Sequence, residues 1–452
     1  VKYAVIIADG AADFPLDELG GKTPLEAART PNLDRVAAMG RVGTAVTTPP
    51  GFGAGSDVCS MCLLGYDPRR YHTGRAPLEA AALGLELRPK DWIFRVNLVT
   101  VGDEGTPDAG KMLDHSAGAI SSAEARPIVE GLAEFWRRSE PGLCADLRLT
   151  PGVAYRNILV DASGNDAARA GERDYGAVEV WPPHEIPGRP WREHVPRPRD
   201  GSDARAVAAA GVMNRLMDLA RVYLPTHPTN VARVRAGKRP ANAAWIWGQG
   251  VSPSLPSFES RFGLKGAMTT AVDLLSGIGT LIGWDRLDVP GATSYHDNDY
   301  AGQGRATVDA LDDYDIVCCH VEAPDEASHQ GDATTKVAAI EAIDRHVVGP
   351  VLEALMRRGD PATDRSAQGW RLLVLPDHYT LVSTRKHDAT PVPLVMAGAW
   401  VRSAVQRPYT ERSALDSDLR ISPGDELMEY FLRGGLAGPP RSGNAGGAGG
   451  RA

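Results

Sequence analysis

Seven side chains in this chain have the types and spacing to hold metal ions: Asp9, Ser56, Asp325, His329, Asp377, His378 and His387. Asp325 and His329 are four residues apart, so a helix would put carboxylate and imidazole on one side. That pairing suits a divalent transition metal. Asp377 and His378 are adjacent, and on a sharply turned backbone such neighbours reach one ion or two. His387 follows nine residues later in "STRKHDATPVP". Ser56 lies in "GFGAGSDVCSM", where glycines lead into a helix-like segment. Such a loop aims backbone N–H groups at an anion. A serine hydroxyl is a weak nucleophile that a divalent cation can activate by favouring the alkoxide, and no Ser–His–Asp spacing offers another route. Singly, each residue has a plainer reading: a solvated acidic loop for Asp325 and His329, a surface histidine at His387, a helix cap at Ser56. Together they match the ligand count of two metal ions a few ångströms apart, a centre suited to phosphoryl transfer.

The elements that would position these groups share a pattern. In "RLLVLPDHYT" an apolar run from Leu372 to Pro376 ends abruptly at Asp377 and His378. "YAVIIADG" ends the same way at Asp9 and Gly10. In "DIVCCHVEAPDEASHQGD" the run from Ile316 to Cys319 is followed by His320, Glu322, Asp325, Glu326, His329 and Asp332. Short apolar runs fit strands buried on both faces of a parallel sheet. Ligand sites in open α/β sheets gather beyond the carboxyl ends of the strands, so three such strands would build one shared crest.

With 452 residues the chain is too long for one simple core. Its 49 Lys and Arg against 57 Asp and Glu leave a net charge of −8, with no basic patch to suggest a nucleic-acid partner. The N-terminal residues read as a strand rather than a leader, and no apolar run approaches the length of a membrane span. The five cysteines, Cys59, Cys62, Cys144, Cys318 and Cys319, read as free thiols in a reducing cytoplasm. "TPNLDRVAAMG" predicts a helix with Thr30 as cap, Pro31 at its first position and Gly40 at its end. Between residues 73 and 240 the texture changes: strand and helix candidates continue, but no acid–His strand ends occur. We therefore expect a core formed by 1–72 and 241–433, an insert at 73–240, and a disordered glycine-rich tail at 434–452.

The segments "DGAADFPLDELGGKTPLEAARTPNLDRVA", "GSDVCSMCLLGYDPRRYHTGRAPLEAAALGLEL", "GKRPANAAWIWGQG", "HVEAPDEASHQGD" and "PDHYTLVSTRKHDATPVP" together resemble the archaeal-type cofactor-independent phosphoglycerate mutases of the alkaline phosphatase superfamily. The likeness runs from Val1 to about Leu432. It implies an α/β fold: an alkaline-phosphatase-like doubly wound core with an inserted smaller α+β substrate-binding domain. It implies two divalent metals, manganese or else magnesium, and no 2,3-bisphosphoglycerate. By this analogy Asp325, His329 and His387 would hold one ion, and Asp9, Ser56, Asp377 and His378 the other. Ser56 would become a phosphoserine as phosphate moves between the 2- and 3-hydroxyls of a small phosphorylated hydroxy acid. Arg75, Asp114 and Arg156 in the insert are candidates for binding the substrate, and Lys265 for meeting the phosphate from the core.

Two departures bear on the substrate. Ser60 stands where many relatives have a histidine. "DHSAGAI", residues 114–120, replaces an arginine-rich "DRRAGRI" and resembles a bacterial branch proposed to phosphorylate homoserine. Transfer to such an amino alcohol, or hydrolysis, is thus the rival reading. A silent metal-binding relative is a second, but it would show a lost ligand, and all seven are present.

Overall fold

The computed structural model describes residues 1–360, 363–401 and 405–433. The chain forms two compact units, one of Val1–His72 with the chain from Pro256 onward, the other Thr73–Leu255. The tail expected at 434–452 lies outside the described residues.

The larger unit is built on eight strands: β1 (Lys2–Ala8), β2 (Arg41–Ala45), β3 (Gly266–Thr269), β4 (Asp285–Arg286), β5 (Ile316–Val321), β6 (Trp370–Leu375), β7 (Val392–Gly398) and β8 (Arg420–Ile421). Their order across the sheet is β4-β3-β5-β1-β6-β7-β2-β8. The four central strands β3, β5, β1 and β6 are mutually parallel, so their carboxyl ends open on one edge. Every residue of β1, β5 and β6 is buried. Two covered faces explain why these strands read as unbroken apolar runs. The sheet is mixed, however, because β7 runs antiparallel to both β6 and β2.

One face packs Ala4, Ile6, Val317 and Cys319 against Leu33, Val36, Ile340, Ile343 and Leu352 from the covering helices. The helix Pro31–Met39 starts at Thr30 as expected, but the Thr30 side chain does not cap it. The Asp344 carboxylate does, accepting from Asn32 N–H at 3.2 Å and Leu33 N–H at 2.7 Å. Gly40 ends the helix for a reason of space: a Cβ there would lie 2.0 Å from the Met396 carbonyl oxygen of β7.

The smaller unit is an antiparallel α+β structure. Its central strand Trp92–Val101 pairs with Arg156–Asp161 on one side and Ala243–Val251 on the other. Helices Ser122–Ser139 and Ala204–Tyr223 contribute Leu132, Trp136, Met213 and Leu216 to a core that includes Phe94, Tyr175 and Trp245. The expected return to the core at residue 241 is therefore displaced. Residues 243–251, apolar enough to pass for a core strand, are held by seven residue pairings to Trp92–Val101, and the unit closes at Leu255.

No helix among the described residues is long and apolar enough to cross a membrane. All five cysteines are free and buried, which fits a packing role for Cys59 and Cys62.

Candidate active site

The carboxyl edge of the central strands carries the candidate ligands. Asp9 follows β1 directly, and Asp377 comes two residues after β6. The backbone bends at Asp377 and His378 before entering a short hairpin, Tyr379–Leu381 with Lys386–Asp388. The hairpin register sets His387 opposite Thr380. Asp325 and His329 lie on the helix Ala323–Gln330, which leaves the end of β5. Ser56 is the first residue of the helix Ser56–Leu63; Gly55 is its N-cap and no side chain caps it. The serine hydroxyl is thus not spent as a helix cap.

These seven groups converge. Ser56 Oγ lies 3.2 Å from His378 Nε2 and donates to Asp9 Oδ2 at 3.3 Å. His378 Nε2 is 3.6 Å from Asp9 Oδ1 and 3.4 Å from Asp377 Oδ2. Asp325 Oδ2 is 3.2 Å from His329 Nε2, and its Oδ1 is 3.3 Å from His387 Nε2. The His378 and His387 rings stack with centroids 3.9 Å apart. Ligand atoms of Asp325, His378 and His387 lie within 4.8 Å of one another, as do those of Asp9, Asp377 and His378.

A third such set, Asp9, His320 and Glu322, contains two residues that were not singled out as ligands from sequence. His320 is the last residue but one of β5, and its Nε2 meets Asp9 Oδ2 at 2.8 Å. Its Nδ1 lies 2.9 Å from Thr270 Oγ1. Thr380 was also missed; its hydroxyl donates to Asp325 Oδ1 at 2.6 Å and lies 3.1 Å from His378 Nδ1. The signal for His320 and Glu322 was present, since both stand at the end of an apolar run.

Lys265 requires correction. It is exposed and sits at the amino end of β3, where its backbone N–H donates to Asp315 Oδ2. β3 runs from Lys265 toward the crest, so Thr270, not Lys265, arrives there. Arg75, Asp114 and Arg156 belong to the smaller unit. Arg75 opens the helix Arg75–Ala82 and is exposed. Arg156 is exposed and lies over the Tyr155 ring. Both Asp114 oxygens are engaged: Oδ1 accepts from Ser116, and Oδ2 pairs with Arg239 at 2.9 Å.

The electrostatics of the crest are those of a site short of positive charge. Burial pushes Asp9 well above the ordinary carboxyl range, and the acids Asp377 and Glu322 add to it. Glu322 is raised by burial too. Burial also opposes ionisation of Asp325, but hydrogen bonds from His329 and His387 prevail and hold it well below the usual value. The same hydrogen bond to Asp325 lifts His329 to about 9. Burial lowers His378, and lowers His320 to about 4.

The arrangement fits divalent cations. Asp9 Oδ1, Asp377 Oδ2 and Glu322 Oε2 are buried with no hydrogen-bond partner, which is costly for a carboxylate unless a cation or a proton meets it. His329 Nδ1 and His387 Nδ1 each lie 3.0 Å from a backbone carbonyl, of Arg385 and Ala54. They can only donate there, which turns both Nε2 atoms inward, 2.9 Å apart. Two facing lone pairs repel until a proton or a metal neutralises them.

Opposite pH dependences follow. In the metal-free protein, the extra stability from protonated His329 beside Asp325 is complete below the unfolded histidine value near 6.5 and fades as pH rises through about 9. His387, also raised, acts in the same sense. The metal-free protein is expected to lose thermal stability between pH 7 and 9, read by scanning calorimetry. Metal affinity should rise over the same interval, because the cation competes with that proton. Affinity independent of pH would remove the imidazoles from the ligand set.

Gly10 gives the crest its tightest fit. Its φ is +61°, and a Cβ would lie 2.5 Å from Thr380 Oγ1, 2.8 Å from Asp325 Oδ1 and 2.9 Å from Asp325 Cα. Gly10→Ala is expected to cost about 2 kcal/mol or more, from strain and from displaced Asp325. The denaturation midpoint and the metal affinity should fall together.

Fold and site thus define an α/β protein of the alkaline phosphatase type, with acids and imidazoles at the carboxyl edge of its sheet. Two solved structures share the fold across 96% of this chain. They are the PH0037 protein from Pyrococcus horikoshii (27% identical, TM-score 0.74, 96% of that chain covered) and a cofactor-independent phosphoglycerate mutase from Thermoplasma acidophilum DSM 1728 (26%, 0.63, 100%). A family model for 2,3-bisphosphoglycerate-independent phosphoglycerate mutase matches residues 37–230. A protein of that name from Methanothrix thermoacetophila is 44% identical over 434 residues, 96% of this chain and 100% of the relative. Another, 2,3-bisphosphoglycerate-independent phosphoglycerate mutase 2 from Methanothermobacter thermautotrophicus, is 40% identical over 433 residues, 96% and 97%. The chain belongs to the 2,3-bisphosphoglycerate-independent phosphoglycerate mutase family.

Proposed function

We propose that this chain interconverts 3-phosphoglycerate and 2-phosphoglycerate through a phosphoserine at Ser56, without 2,3-bisphosphoglycerate. The supporting observation is the position of the Ser56 hydroxyl, 3.2 Å from His378 Nε2 and 3.3 Å from Asp9 Oδ2 at the head of an uncapped helix. In this reading Asp325, His329 and His387 hold one divalent cation, and Asp9, Ser56, Asp377 and His378 hold a second, manganese in both places. Bound there, the ions would favour the serine alkoxide and neutralise phosphoryl oxygens. Ser56 Oγ attacks the phosphorus, the bond to the ester oxygen of the substrate breaks, and that oxygen regains a proton. The free helix N–H groups behind Ser56 face the charge of the phosphoserine. The glycerate then presents its other hydroxyl, which attacks the same phosphorus, gives up its proton and restores the serine. Arg75 and Arg156 of the smaller unit are the proposed carboxylate partners, since a guanidinium matches a carboxylate in two hydrogen bonds.

One observation favours the second reading, transfer to an amino alcohol such as homoserine. Glu322 Oε2 is buried beside Asp9 with no hydrogen-bond partner, and an additional acid suits an acceptor bearing an ammonium better than a trianionic phosphoglycerate. The two readings part in one assay. With manganese present, 3-phosphoglycerate is supplied and 2-phosphoglycerate is followed through coupled enolase, alongside free phosphate and, with homoserine added, phosphohomoserine. Formation of 2-phosphoglycerate is the expected result. Its absence removes the mutase reading.

A further inference from the structure

Lys336 is the most deeply buried cation in the larger unit's described residues, with no exposed surface, and nothing in the chemistry above uses it. Its ammonium has three hydrogens and finds three acceptors: the Thr380 carbonyl at 2.7 Å, Asp13 Oδ2 at 3.0 Å and the Ala12 carbonyl at 3.3 Å. Each acceptor belongs to a segment that carries candidate ligands. Ala12 and Asp13 continue the turn that begins with Asp9 and Gly10. Thr380 lies two residues beyond His378, and its hydroxyl touches both Asp325 and His378. Lys336 itself stands on the helix Ala333–Ile343, which follows the Asp325 and His329 helix after a break at Gly331 and Asp332.

The anchor is braced from behind. Asp13 Oδ2 also accepts from Val382 N–H at 3.0 Å, and Asp13 N–H donates to Glu411 Oε1 at 3.2 Å. Thr23 donates to the other Glu411 oxygen at 2.6 Å. Burying an ammonium is expensive unless its charge and all its hydrogens are met. Here every hydrogen is directed at backbone or side chain of the ligand-bearing loops.

We propose that Lys336 is a positioning residue for the metal centre. Its three hydrogen bonds lock the Asp9 turn, the His378–Thr380 segment and the Asp325 helix into the one arrangement in which their ligand atoms converge. The inference rests on the metal-binding part of the proposed function. It predicts that Lys336 acts on metal affinity rather than on substrate affinity, and that charge balance alone does not replace it.

The test is calorimetric titration of metal-free protein with manganous ion, with thermal melts in parallel. Lys336→Met leaves the buried Asp13 without its cationic partner, so a lower melting temperature would be expected of any structural role. The informative variant is Lys336→Met with Asp13→Asn, which removes both charges. The expected result is that the double variant regains most of the lost melting temperature, binds manganese about 10- to 100-fold more weakly than the native chain, and keeps the native KM once saturated with metal. Native manganese affinity in the double variant overturns the proposal. If that variant does not fold, Asp13→Asn alone, which keeps the side-chain shape, decides: weakened manganese binding supports the anchor and unchanged binding overturns it. A native chain that binds no manganese would instead sink the metal reading itself, so the two failures are distinguishable.

Discussion

Replacing Ser56 by alanine is expected to lower turnover by about four orders of magnitude or more, the scale on which a covalent mechanism fails when its nucleophile is removed. The protein should otherwise persist. Gly55, not Ser56, is the N-cap of the helix, so the loss of one half-buried hydroxyl should change stability by about 0.5 kcal/mol or less. Metal uptake should survive as well. Asp9, Asp377 and His378 bring ligand atoms within 4.8 Å of one another without the serine, and Asp325 and His387 form a second set that shares His378. The combination is diagnostic: coupled enolase turnover lost, calorimetric metal binding kept, denaturation midpoint nearly unmoved. Turnover undiminished in this variant would end the nucleophile assignment, whatever the family resemblance.

Stripping the protein of divalent cations should be as damaging and, unlike the alanine variant, reversible. Activity after exhaustive chelation is expected to fall below detection and to return on adding manganese. A second readout follows from the buried acids. Burial and the neighbouring acids push Asp9 and Glu322 above the ordinary carboxyl range, and Asp9 Oδ1 and Asp377 Oδ2 have no hydrogen-bond partner. A cation relieves both problems only in the folded chain. At a thousandfold excess over its dissociation constant it would stabilise the larger unit by about 4 kcal/mol, and the melting temperature should climb by several degrees. Equal melting curves with and without manganese would mean that these acids are paired in some other way.

Much of this site was legible in the sequence because its parts obey strong local rules. β1, β5 and β6 are buried on both faces, so each is an apolar run, and a polar residue directly after such a run is conspicuous. Asp9, Asp377 and His378 stand out for that reason. Asp325 and His329 were readable as a pair because a helix repeats its face every four residues. His320 and Glu322 were passed over because they blend into the same run of acids and histidines, and only the fold shows which of these turn inward. Thr270 and Thr380 carry no signal of their own, since a threonine hydroxyl matters only once a neighbour is in place. Lys265 was misplaced because the direction of a strand decides which end reaches the crest. Residues 243–251 were misassigned because apolarity marks burial but not the partner strand. The Asp344 cap on the helix at Pro31 was invisible because it arrives from more than three hundred residues away.

The insertion of Thr73–Leu255 between the two stretches of the larger unit has a consequence for how the protein is born. Asp9 and Ser56 leave the ribosome early, yet His387 follows only after roughly 330 further residues, about 15 to 65 seconds later at ordinary synthesis speeds. During that interval the nascent chain carries an incomplete nest of acids with nothing to bind tightly. In the proposed metal-dependent reading, uptake would therefore come late in synthesis, and chains cut short before His387 would lack part of the ligand set.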